Sequence, residues 1–103
     1  MKIIVHRGID QIGGCITEIE SAGGTNILID LGHNLPEGDT AAADPLEKKE
    51  NLFAILNGVS HVFYTHYHGD HIGFESKIPS HVKQHMGELA IEMVKVLKKQ
   101  GII

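Results

Sequence analysis

Three histidines and an aspartate fall within six residues, His66-Tyr67-His68-Gly69-Asp70-His71, and the run Ser60-His61-Val62-Phe63-Tyr64-Thr65 leads directly into them. The leading run is β-branched and aromatic with an apolar centre, which predicts a buried strand. Side chains that bind metal, crowded at the end of a strand, demand a rigid scaffold with a working loop at its rim. On extended backbone, residues two apart face the same way about 6.5 Å apart along the chain. His66 and His68 can therefore tilt onto one ion, which needs Zn–N distances of about 2.0–2.1 Å. Gly69 lets the backbone turn, and Asp70 and His71 beyond it can aim at a neighbouring position, so two adjacent metal sites follow. Zinc in such a site lowers the pKa of a bound water to about 7, which is hydrolytic chemistry without a side-chain nucleophile. Ligand histidines must be neutral, so metal affinity should fall as pH drops toward the ordinary histidine pKa of about 6.5. The competing reading, a solvated histidine-rich loop or a purification tag, fits poorly: tags are terminal runs of histidine, whereas this motif is internal and interrupted.

The rest of the chain reads as strands and helices around that element. Lys2 to His6 is a β-branched run ended by Arg7-Gly8, and Cys15 to Glu20 alternates in polarity. Gly23-Gly24 signals a hairpin turn, and Thr25 to Leu31 follows as a second strand, so the first thirty residues predict an antiparallel meander. Residues 33 to 44 form a loop. Asp44-Pro45 offers an N-cap followed by proline at the first helical position, predicting a helix over Leu46 to Asn57 that Gly58 ends. His81 to His85 predicts a brief strand. Gly87 to Gln100 predicts a helix, with Leu89, Met93, Val96 and Leu97 on one face, lysines in the last turns and Gly101 as its C-cap. Met86 and Met93 read as core filling, and Ile102-Ile103 as the start of another strand. The fold class is α/β (α+β).

Eight histidines are the compositional outlier; 42% hydrophobic and 21% charged residues are ordinary for a globular chain. The 103 residues allow one small domain, and a net charge of -4 argues against a basic nucleic-acid footprint on this segment. A single cysteine, Cys15, cannot form an internal disulfide, which fits a reducing compartment; it reads as a small buried residue. No apolar run approaches the roughly 18 residues of a membrane span, and the opening apolar stretch is too short for a signal peptide. A cytoplasmic protein with no membrane partner is expected. His6 and His61 read as satisfied core or edge histidines, and Glu47 to Glu50 as a solvated helix face.

The hexapeptide His66–His71, preceded by Val62-Phe63-Tyr64-Thr65 and followed by Ile72-Gly73, resembles the HxHxDH signature of the metallo-β-lactamase superfamily. Asn26-Ile27-Leu28-Ile29-Asp30-Leu31-Gly32 looks like that family's earlier strand, which ends in a structural aspartate. Arg7 to Cys15, with its glycine-rich turn, resembles the opening of β-CASP and ribonuclease J-like members. The resemblance implies that His66 and His68 hold a first zinc, and that Asp70 and His71 hold a second. Asp70 would also orient the attacking water as the catalytic group, and Asp30 would buttress the site through second-shell hydrogen bonds. His33, just after Asp30-Leu31-Gly32, would lie on a loop near the pocket.

Family members are longer and supply a further histidine, a bridging aspartate and a last histidine downstream. His81 and His85 come too early to replace them. Residues 1–103 are thus expected to form the N-terminal half of an αββα sandwich, a mostly antiparallel or mixed sheet with flanking helices, cut after the motif and one following helix. Such a half-sandwich exposes its inner sheet face, a surface for self-association. The parent activity is expected to be zinc-dependent hydrolysis, leaning to phosphodiester cleavage in RNA. Hydrolysis of a small-molecule thioester or lactone and an inactive metal-binding or interaction module are the alternatives. With half the ligands, the chain alone should bind zinc weakly and turn over nothing efficiently.

Overall fold

The computed structural model describes residues 1–9, 14–32, 44–66 and 74–101. Local turn chemistry starts the sheet. Ser21 accepts a backbone hydrogen bond from Gly24 at 3.0 Å, its hydroxyl accepts from the Thr25 amide, and Gly24 takes a φ of 87° that suits glycine. This turn joins β2 (Ile16–Glu20) to β3 (Asn26–Ile29). With β1 (Lys2–Arg7) they form the expected antiparallel meander. β4 (Val59–Tyr64) and β5 (Lys83–Met86) then add in parallel, giving a mixed five-stranded sheet in chain order. β1, β3, β4 and β5 therefore run one way and only β2 runs back, so four strands end at the same edge.

The first helix is split. Asp44 caps a short 3-10 turn over Pro45–Glu47 by accepting from the Leu46 amide at 3.0 Å. Lys48 is extended, and α1 (Lys49–Leu56) begins only after it. The continuous helix expected over 46–57 is corrected to these two pieces. α2 (Glu88–Lys99) lies where the pattern placed it, but on a different face. Leu89 is 77% exposed and Val96 53%, and Met93 is exposed too, while Val94 is buried with Ala90 and Leu97 half-buried beside it. Its apolar residues span an arc wider than one stripe, opposite Glu88, Glu92, Lys95 and Lys99, so periodicity leaves the buried stripe open and packing selects it. Met86 does pack against the core; Met93 does not, and Cys15 is half-buried rather than buried.

Helices and sheet meet on one side. Ile16, Leu28, Val62 and Tyr64 point to that side and join Leu52, Leu56 and Val94 in one buried cluster with Phe74 and Leu31. Among the described residues the opposite face keeps large apolar side chains exposed. One cross-strand row on it is Ile3–Ile19–Ile27–His61–Lys83, and the next is Val5–Thr17–Ile29–Phe63–His85. Ile3 is 59% exposed, and Val5 and Phe63 are exposed as well. Among the described residues no helix is long and apolar enough to cross a membrane.

Candidate metal centre

β4 delivers His66 to the edge where β1, β3 and β5 also end, the place where ligands bind in open sheets with parallel strands. The end of β4 is latched to the end of β3. Asp30 is buried, takes a φ of 63° and donates its backbone amide to the Phe63 carbonyl at 2.9 Å. Its carboxylate then accepts from the Thr65 amide at 2.8 Å and from the Thr65 hydroxyl at 2.7 Å. Aspartate tolerates the left-handed conformation that most residues resist, and the turn it makes aims the carboxylate at the neighbouring strand. His66 follows Thr65 directly and is half-buried.

A second anchor lies downstream. Phe74 is fully buried, and its amide donates to the Leu31 carbonyl at 3.4 Å. The chain that leaves β4 at Thr65 thus returns at Phe74, and both points are tied to Asp30-Leu31. Arg7 adds a third tie. Its guanidinium donates to the Gly14 carbonyl at 2.7 Å, the Gly32 carbonyl at 2.6 Å and Asp44 Oδ1 at 2.8 Å. One planar fork therefore joins the start of β2, the exit of β3 and the cap of the 3-10 turn, a geometry lysine cannot supply.

Elsewhere three histidines have structural partners. His6 pairs with Glu18 at 2.7 Å, and Asn26 donates to the other carboxylate oxygen. Burial opposes ionisation of Glu18, but the hydrogen bonds from Asn26 and His6, helped by the charges of His6 and Lys2, hold its carboxyl below the usual range. His61 Nδ1 and His85 Nε2 lie 2.8 Å apart on the sheet face opposite the helices. Tyr64 donates to Gln84 Oε1; burial, then the charges of Glu75 and Asp30, push its hydroxyl above the usual range, so it stays a donor.

Of the expected site residues, Asp30 and His66 are brought to one edge of the sheet. His68, Asp70, His71 and His33 lie outside the described residues. Among the described residues no three His, Cys, Asp or Glu side chains converge to hold a metal ion. The donor set in the sequence, three imidazoles and a carboxylate, nonetheless suits zinc chemically. Thr65, Phe74 and Arg7 were missed by sequence reasoning. Only Arg7 left a signal, an arginine that closes the run Lys2-Ile3-Ile4-Val5-His6 just before Gly8.

The match to known proteins agrees with this geometry. Residues 16–81 match the family model of the metallo-beta-lactamase superfamily, and the chain belongs to that superfamily. It is also similar to the thioesterase pkgB of Emericella nidulans, at 31% identity over 104 residues covering 93% of this chain. The chain spans 29% of that relative's length.

Proposed function

We propose that this chain carries the first part of a zinc-dependent hydrolase site, with His66, His68, Asp70 and His71 as the residues that hold the metal. The observation that supports this reading is the double anchorage of the motif: Thr65 on Asp30 before it, and Phe74 on Leu31 after it. When bound, zinc supplies an activated water for hydrolysis. The chain's own contribution is orientation. Asp30 holds the Thr65 backbone, and through it sets where His66 leaves the sheet; such outer support tunes metal affinity about 10–100-fold in other sites. Asp70 is the residue assigned to orient the attacking water.

For the substrate, the opening Arg7–Cys15 supports phosphodiester cleavage in RNA through its resemblance to ribonuclease J-like proteins. A second reading, hydrolysis of a thioester, is supported by the thioesterase relative and by the net charge of -4, which gives this segment no basic footprint. Zinc titration by calorimetry, followed by parallel assays on a short RNA and on an acyl thioester, tests both levels. Zinc uptake that falls at least tenfold in His66→Ala and in Asp70→Ala supports the site. Uptake unchanged by both substitutions removes it. Tight binding of two zinc ions per chain, with turnover abolished by His68→Ala, would contradict the expectation that this segment is weak by itself.

A further inference from the structure

We infer that Arg7 is a positioning residue for the metal centre, raising metal affinity through the backbone turn Asp30-Leu31-Gly32 that its guanidinium fixes. This rests on the zinc site proposed for His66, His68, Asp70 and His71. The three residues of the turn are all buried, and each holds a different element. The Asp30 carboxylate accepts from Thr65, just before the motif. The Leu31 carbonyl accepts from Phe74, downstream of it. The Gly32 carbonyl accepts from Arg7 Nη2 at 2.6 Å.

The turn needs such a brace. β3 pairs with β2 and β4 only as far as Ile29, so the residues beyond it have left the ladder. On the β4 side the Asp30 amide still donates to the Phe63 carbonyl at 2.9 Å. On the β2 side the guanidinium takes over, and a bulge brings it there. The register of β1 against β2 shifts between Val5 and Arg7: Ile4 pairs with Glu18 and Arg7 with Ile16, both on the helix side. Strict alternation would leave Arg7 on the opposite face with Ile3 and Val5; the irregularity re-aims it. Nε also donates to the Gly14 carbonyl and Nη1 to Asp44, which holds the fork in one plane. The side chains of Arg7 and Asp44 are only 16% and 8% exposed, so little water competes for the bond to Gly32.

Binding a metal requires its ligands to adopt one arrangement, and the ordering cost is smaller when the points that hold them are already fixed. A Gly32 carbonyl released by Arg7 can turn to water, and the turn that carries Asp30 and Leu31 gains freedom with it. That freedom must then be removed when zinc binds. Partners that touch a ligand directly change metal affinity about 10–100-fold. Arg7 acts further out, through the turn, so an effect of about three- to tenfold is expected. Lysine cannot replace it, because one ammonium on a flexible stem does not reach three acceptors as a planar fork does.

The test compares Arg7→Lys, Asp44→Asn and Glu18→Gln in the 103-residue chain, by amide hydrogen exchange without metal and by titration with zinc. Asparagine caps a helical turn as well as aspartate does, so Asp44→Asn removes the charge that faces Arg7 and keeps the Leu46 cap. Glu18→Gln breaks a different ion pair of the same sheet, with His6, and leaves the turn alone. Arg7→Lys should speed exchange of the Thr65 and Phe74 amides at least about fivefold beyond any change at Leu28 and Val62 in the centre of the sheet. It should also weaken zinc binding about three- to tenfold. Asp44→Asn should do both to a smaller degree, and decides the matter if Arg7→Lys does not fold; Glu18→Gln should do neither. Exchange at Thr65 and Phe74 that rises only in step with Leu28 and Val62 overturns the proposal, since Arg7 then stabilises the whole sheet and nothing more. Zinc affinity unchanged in Arg7→Lys, or weakened equally in Glu18→Gln, overturns it too, while His66→Ala still lowers uptake. Zinc uptake that is absent, or equal after His66→Ala, overturns the metal site itself and the role of Arg7 with it.

Discussion

Replacing Asp30 by alanine strikes the latch between β3 and β4. The carboxylate accepts two hydrogen bonds from Thr65, at 2.8 and 2.7 Å, and bonds to a charged group contribute about 1.5–3 kcal/mol each. Thr65 is exposed, so water replaces part of what is lost and the lower figure applies, about 3 kcal/mol for the pair. Alanine must also adopt the φ of 63°, at a cost of about 1–2 kcal/mol. The sum, about 4 kcal/mol, is a large share of the roughly 5–15 kcal/mol that holds a domain together. Asparagine behaves differently. It tolerates the same backbone, its amide oxygen can accept the Thr65 N–H, and the hydroxyl can rotate to accept from its NH₂. Losing only the charge assistance should cost about 1–2 kcal/mol. Urea unfolding at neutral pH separates the cases: with a slope of about 2 kcal/mol per molar, Asp30→Ala should lower the midpoint by about 2 M and Asp30→Asn by less than about 1 M. Equal midpoints for the two variants, or Asp30→Ala within about 0.5 M of the parent, would refute the reasoning.

Arg7→Lys should lose at least two of the three loop ties and cost about 2–3 kcal/mol in thermal unfolding, nearly as much as Arg7→Ala. Glu18 has its folded pKa below the usual 4.5. Its contribution is therefore complete above about pH 4.5 and is lost as pH falls through the lower folded value. An acid unfolding titration should show that loss, and Glu18→Gln should remove it while costing about 1–2 kcal/mol at pH 7. Tyr64→Phe removes the hydroxyl that donates to Gln84 and should cost about 1 kcal/mol by urea unfolding, with no new transition at high pH.

Much of the scaffold was legible because its signals are local. Glycine at 23 and 24 announces the turn, and Asp44-Pro45 announces a helical start. Runs with β-branched residues mark the strands to within one or two residues; Asp30 ends β3 two residues before the expected Leu31. The failures share a cause. Nothing local says that Lys48 breaks the first helix, or that α2 buries Val94 and leaves Leu89 and Met93 in water. Those outcomes depend on which face the sheet offers.

The hexapeptide His66–His71 determined by itself the kind of chemistry to expect, since imidazole and carboxylate donors at that spacing suit a metal whatever surrounds them. Its attachment was decided only in three dimensions. Asp30 lies 35 residues before Thr65 in the chain, and Arg7 37 before Asp44. Spacing along a chain carries no record of such pairs; they arise because β3 and β4 lie side by side and β1 ends at the same edge. The sequence names the candidate donors, and the sheet register brings Asp30 to the strand end that leads into them.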